Sequence, residues 1–315
     1  MGIHSAPTPP SDSTIGRLIR AIPVESLSDL TLALLNSIPR EAVFGLPNLY
    51  AIDGKSRKAA ITESGKCEID VSIFDVATGV TVAKAAVAAK EGEAPVARDL
   101  VAAHASRLAP GYFAADAGIG CRELAALIDR MGHDFLFPIK GNAGKIFDEV
   151  KDLSWESVSS WTSDESGHGR WESRETKIIR LNAEETQRQI PSARFFPQGL
   201  IYVEVTRTRI NQKTFESSWE KAYFLATEKN GAITTQVSDA LIRGYWSIEN
   251  NLHGHRDIQL GEDDLSSMSP HSSRVIGSIL DVMQWLAQGC GRGICYFREQ
   301  LRAASVSLFT PWMAI

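Results

Sequence analysis

The sequence predicts an α/β fold, a mixed sheet flanked by helices, with a β-rich insertion in its second half. Three observations carry this reading. From residue 48 onward LYAID and EIDVSIFDVATGVTVAKAAVA alternate in the manner of strands. Helical and strand-like segments then follow one another through GKIFDEVKDL, the layer pattern of an α/β domain. Residues 155–230 differ again, being rich in β-branched and aromatic residues without a convincing long helix.

Residues 1–14 are rich in Pro, Ser and Thr and lead irregularly into a helix that Asp12 or Ser13 can cap. Apolar residues at helical spacing (Ile15, Leu18, Ile19, Ile22, then Leu27, Leu30, Leu34, Leu35) are interrupted by Pro23, so two short helices are expected. Three early antiparallel strands follow, with a hairpin turn at Ala77-Thr78-Gly79. ARDLVAAHASRL reads as a helix, PGYFAADA as a buried strand, and RELAALIDRMG as a helix closed by Gly132. DFLFPIKG is the next strand. In the insertion TKIIRLNA, GLIYVEVTRTRI and KAYFLATE read as strands, after which VSDALIRGYWSIENNLH and SSRVIGSILDVMQWLAQ return to helical periodicity. The expected divisions are a helical N-terminal remnant (1–47), the first part of the core (48–154), the insertion (155–235) and a helical C-terminal part of the core (236–315).

Composition excludes several classes. At 315 residues and 43% hydrophobic, the chain can bury a substantial core. Apolar runs are broken by charge or Gly well short of the roughly 20 residues that span a bilayer, so no membrane role is expected. The N-terminus lacks a basic stretch followed by an apolar one, which argues against a secretory signal. Cys67, Cys121, Cys290 and Cys295 form no C-x-x-C pair, so neither a zinc ribbon nor a disulfide framework is expected, and a cytoplasmic setting fits. A net charge of −5 means that any polyanion contact must come from local basic patches. There is no Gly-rich phosphate loop, G-x-S-x-G or H-E-x-x-H.

Two acids end apolar strands: Asp53 after Leu49-Tyr50-Ala51-Ile52, and Asp116 after Tyr112-Phe113-Ala114-Ala115. A rigidly held carboxylate suits a hard divalent cation, although Asp is also a common turn-former after a strand. Glu249 lies beside the helical face of Tyr245, Ile248 and Leu252, where a solvated Glu on an amphipathic helix is the plainer reading. Asp257, Glu262, Asp263 and Asp264 form a later acidic cluster, read as a solvated loop or a brace for basic residues. Lys55, Arg57 and Lys58 make a short basic run, and RTRINQK at 207–213 is the best backbone-binding patch of the insertion or else a charge-protected hairpin edge. His253 is read as structural.

Five segments together carry a family likeness: AIDGKSRKA, AKEGEAP (89–95), FAADAG with FLFPIKGNAGKIFDEV, HGRWESR (168–174), and IRGYWSIENNLHGHRDIQLGEDD. In these the chain resembles the insertion-sequence transposases of the ISAs-one family, a branch of the DDE superfamily. The last segment is the most specific, through Trp246, Glu249, Asn250, His253, Asp257, Glu262 and Asp263. Departures are Gly118 and Ile119 after Ala117, where the family reads Leu-His, and Gly254 in place of a Trp. The family's N-terminal helical region is longer, so the chain is expected to be shortened at its start.

The resemblance implies a ribonuclease-H-like mixed sheet with the β-rich insertion between the second Asp and the Glu. Asp53, Asp116 and Glu249 would then be the catalytic carboxylates holding two Mg2+ (or Mn2+) ions. Its activity would be metal-dependent cleavage and strand transfer at transposon ends. The expected partner is double-stranded DNA, both terminal inverted repeats and target, with a homodimer compatible with the DNA complex and nucleoid association when bound. The DNA-contact set is Lys55, Arg57, Lys140, Asn142, Arg170, Arg243, Trp246, Asn250 and Arg256. Trp246 is a candidate to stack on a flipped base or else a core tryptophan. Two other readings are a nuclease on the same fold that cuts without joining, and a catalytically silent DNA-binding remnant, which the acidic pI and shortened start favour.

Overall fold

The computed structural model describes residues 10–37, 46–61, 65, 67–87, 92–167, 169–246, 248–254, 256, 257, 262 and 269–289. Residues 1–9, His168, His255, Asp263, Asp264, Cys290, Cys295 and the Gly-rich stretch around them lie outside the described residues. The chain divides into two compact units. One comprises Ile38–Lys55 and Ile69–Ile248, the other Met1–Ser37, Ser56–Glu68 and Glu249–Ile315.

The first unit is built on a nine-stranded sheet, in the order β3-β2-β1-β4-β5-β9-β8-β7-β6. Its first strands are β1 (Asn48–Ile61), β2 (Cys67–Asp75) and β3 (Val80–Ala86). β2 and β3 pair antiparallel through the turn expected at Ala77-Thr78-Gly79, where Gly79 takes a positive φ of 70°. Then α3 (Glu93–His104) crosses to β4 (Gly111–Ala115), which lies parallel to β1. Next α4 (Arg122–Arg130) leads to β5 (Asp134–Ile139), parallel to β4. An antiparallel meander followed by two parallel strands reached through helices is the ribonuclease-H-like arrangement implied above, a mixed sheet flanked by helices.

β4 is buried at every residue, as a central parallel strand covered on both faces must be. One face carries Leu49, Tyr112, Ala114 and Leu136 in a core with Leu241 and Ile242 of α7 (Thr235–Tyr245). Alternate positions place Tyr50 and Phe113 in ring contact with each other and with His133.

α5 (Lys145–Lys151) leads into the insertion, whose strands are β6 (Ser160–Gly167), β7 (Arg170–Arg180), β8 (Ile201–Asn211) and β9 (Ser217–Ala226); α6 (Ala183–Gln189) lies between β7 and β8. They do not form a separate sheet: β9 pairs antiparallel with β5, Leu136 opposite Ala226 and Ile139 opposite Tyr223, so the insertion lengthens the core sheet. Toward Gly167 and Arg170 the strands lose their covering. There Trp171, Phe215 and Trp219 stand exposed.

In the second unit α1 (Asp12–Ala21) and α2 (Val24–Ser37) are separated at Pro23, as expected, and both pack on α8 (Pro270–Gly289). Ser11 caps α1 by accepting from the Thr14 N–H, one residue before Asp12 and two before Ser13, the caps considered from the sequence. Buried ion pairs brace the unit. Arg57 pairs with Glu68, which also meets Arg274, and Arg256 pairs with Glu262 and Asp281. Among the described residues no helix is long and apolar enough to cross a membrane.

Candidate active site

Asp53 and Asp116 come together through the pairing of β1 with β4. The parallel register ends with Ile52 opposite Ala115, so the next residue on each strand is one of these acids. Neighbouring strands run about 4.8 Å apart. Two carboxylates are thus placed side by side where β4 ends, although β1 runs on to Ile61, so that Asp53 lies within its strand and not at the strand end read from the sequence. Both are half-buried. Asp116 is held in a defined pose, since its Oδ1 accepts from the N–H groups of Gly118 and Ile119, each at 2.9 Å, while its carbonyl accepts from Gly120. The Gly118-Ile119 departure noted in the sequence therefore supplies the turn that orients Asp116.

A third carboxylate belongs to this end of the sheet. Glu93 opens α3, and its carboxyl group covers the backbone beside Asp53; a Cβ added to Gly54 would meet Glu93 Cδ at 2.6 Å. Burial, and then the charge of Asp116, hold the Glu93 carboxyl above its ordinary range. Sequence reasoning passed over Glu93, although it lies in the quoted AKEGEAP stretch. The available signal was an acid at the start of a helix, with Pro95 tolerated in its first turn.

Glu249 falls in the other unit, exposed in the first turn of a π-helical segment, Ile248–His253. The single helix expected over this region is thus interrupted, because α7 ends at Tyr245 with Trp246 as its C-cap. Gly244 packs so closely that a Cβ there would lie 2.7 Å from a methyl of Leu49, which fixes this last turn against β1.

The remaining candidates are dispersed. Lys140 is exposed just before the short 3-10 turn Gly141–Ala143, which includes Asn142. Arg170 is exposed at the start of β7, with Glu172 3.7 Å away. Arg243, in the last turn of α7, is paired with Glu165 of β6, and Trp246 is half-exposed with Tyr245 beside it. Lys55 is buried, and Arg57 and Arg256 are enclosed with their carboxylate partners. Asn250 lies within the π-helical segment.

Among the described residues no three His, Cys, Asp or Glu side chains are grouped as a preformed metal cage. The donor chemistry around Asp53 and Asp116 still fits a hard divalent cation. Asp53, Asp116 and Glu93 offer oxygen only, and Gly54 leaves open the space that Glu93 reaches into.

Over 172 residues the chain is 27% identical to the H repeat-associated putative transposase YhhI of Escherichia coli (strain K12). The putative protein YbfL of the same organism matches at the same identity and length, and each match covers 51% of this chain and 43% of the relative. The matched region thus spans less than half the length of these curated relatives. No family model matches. Among solved structures, the cryo-EM structure of a piggyBac transposase synaptic complex with hairpin DNA aligns with a TM-score of 0.47 at 10% identity, covering 92% of this chain and 59% of that one.

Proposed function

We propose that this chain is an insertion-sequence transposase of the DDE type, of the ISAs-one family that its motifs resemble. The observation that carries the reading is the placement of Asp53 and Asp116 one step beyond the last paired residues of β1 and β4. Asp53 and Asp116 would hold Mg2+ or Mn2+, with Glu249 as the closing carboxylate that the resemblance implies. A pair of such ions stabilises charge on the attacking and leaving oxygens of a phosphodiester.

The chain's own contribution is positioning. The turn Ala117–Gly120 fixes one rotamer of Asp116, so that little reordering is needed when DNA binds. Exposed Lys140 and Arg170, together with Arg243, Trp246, Asn142 and Asn250, are the proposed DNA contacts, the cations meeting phosphate without reading sequence. Lys55 is kept out of that set because it is buried, and Arg57 and Arg256 because carboxylates already enclose them. The DNA is proposed to be the element's terminal repeats and its target, bound by a homodimer in the nucleoid.

The test is cleavage and joining of labelled element-end DNA with Mg2+. Asp116→Asn should lower both by at least about 100-fold while leaving DNA binding intact. Unchanged cleavage would remove Asp116 from the chemistry, and binding without metal-dependent nicking by the parent protein would favour a silent DNA-binding remnant.

A further inference from the structure

A cavity of about 490 Å³ opens directly beside Asp116, within the sheet unit. Ala117 and Gly120 of the Asp116 turn line it, Arg122 and Lys145 bring positive charge, Glu123 adds a carboxylate that accepts from Arg122 Nε at 2.7 Å and leaves the other guanidinium nitrogens to meet a phosphate, and Ser192 and Phe195 complete the lining. Its volume lies within the range of about 300–1,000 Å³ that holds small organic ligands.

Phe195 is the unusual element. It ends the 3-10 segment Pro191–Phe195 and is 56% exposed, although neighbouring Phe196 is tucked toward Phe135. An exposed phenyl ring gains nothing for the fold by facing water. Two guanidinium groups attend it, Arg194 at 4.5 Å and Arg122 at 5.4 Å from the ring centroid. An aromatic platform flanked by cations is the combination that binds a base by stacking and its phosphate by charge. The residues that begin α4 also line the cavity, where the Glu123 carboxylate already accepts from its own backbone N–H.

We infer that this cavity is a binding site for an unpaired nucleotide of the DNA strand, its base stacked on Phe195 and its phosphate met by Arg122 and Lys145. This rests on the transposase reading and deepens it. The strand presented to Asp53 and Asp116 is opened locally, and the nucleotide beside the reacting phosphate is held out of the duplex. A fully paired duplex cannot lay a base on the Phe195 ring without unstacking it.

The experiment measures binding with EDTA present, so that no strand is cut. The probes are a single-stranded oligonucleotide of about a dozen nucleotides carrying 2-aminopurine, whose emission falls on stacking, and a fully paired duplex of equal length. The parent protein should bind the single strand and quench the probe. Phe195→Ala should weaken that binding about tenfold and abolish the quench, Phe195→Tyr should retain both, and duplex binding should be unchanged by either. If Phe195→Ala quenches and binds the single strand as the parent does, the nucleotide site is overturned. Duplex binding by the parent with no single-strand binding overturns it too, and leaves the transposase reading standing. Failure to bind either DNA overturns both.

Discussion

The carboxyl group of Glu93 lies against Gly54, so close that a methyl group on that glycine would stand 2.6 Å from Cδ and from one carboxyl oxygen. Gly54 follows Asp53, and Asp116 is the acid whose charge bears on Glu93. The first turn of α3 is thereby tied to the middle of β1, beside the end of β4.

Gly54→Ala should therefore push aside the Glu93 carboxyl, the far end of a flexible side chain, at a cost of about 0.5–1.5 kcal/mol for the shifted rotamer. Denaturant melts of Gly54→Ala, Glu93→Ala and the double variant would measure this. The double variant should recover most of the loss, whereas simple additivity would place the strain elsewhere.

Glu93→Gln should stabilise the protein at neutral pH. Because folding raises the Glu93 pKa, the folded state favours the protonated acid, so its relative stability is greatest below the ordinary value of 4.5 and declines as pH rises past it. Melts from pH 4 to pH 8 should show the parent falling relative to Glu93→Gln. Parallel curves would assign the shift to another group.

Substitution at Asp116 should separate turn from chemistry. Asparagine keeps the oxygen that accepts from Gly118 and Ile119, whereas alanine leaves those N–H groups without it, at about 1 kcal/mol. Both variants should lose cleavage, but only Asp116→Ala should melt earlier. Millimolar Mg2+ should raise the melting temperature of the parent and not that of Asp116→Asn. An equal rise in both would place the cation away from β4.

The extended strands carry their own acid sensitivity. Glu172 of β7 is pushed upward by burial, but hydrogen bonds from Arg209 and Arg174 and the charges of Arg174 and Arg207 outweigh this and bring it down to about 2. A lowered acid stabilises fully above its unfolded value of 4.5 and loses that contribution as pH falls toward 2, on the order of 2–3 kcal/mol in total. Glu172→Gln should abolish this acid-induced loss in the insertion. Hydrogen exchange of the β7–β8 amides at pH 3 and pH 6 would show it, and equal protection in parent and variant would refute it.

Arg256→Ala should destabilise its unit by about 3–5 kcal/mol, because Glu262 and Asp281 would remain buried without their cation. A thermal melt would read this directly. A change below about 1 kcal/mol would mean that water enters to replace the guanidinium.

Local periodicity is what the sequence determined by itself. The break between α1 and α2 at Pro23, the hairpin at Gly79, the buried strand before Asp116, β8 and the inner halves of β7 and β9 were legible, because alternation and helical spacing are written into neighbouring residues, whereas the polar β6 and the outer halves of β7 and β9 were not. Tertiary structure alone decided that β4 lies beside β1, that β9 joins β5 to carry the insertion strands on into one nine-stranded sheet, and that Glu93 covers Gly54. It also turned Arg57 and Arg256, which the sequence offered as DNA contacts, into buried cations held by Glu68, Glu262 and Asp281. The reason is physical: strand order and burial are set by contacts between residues far apart in the chain, and a short-range pattern carries no record of which distant partner will meet it.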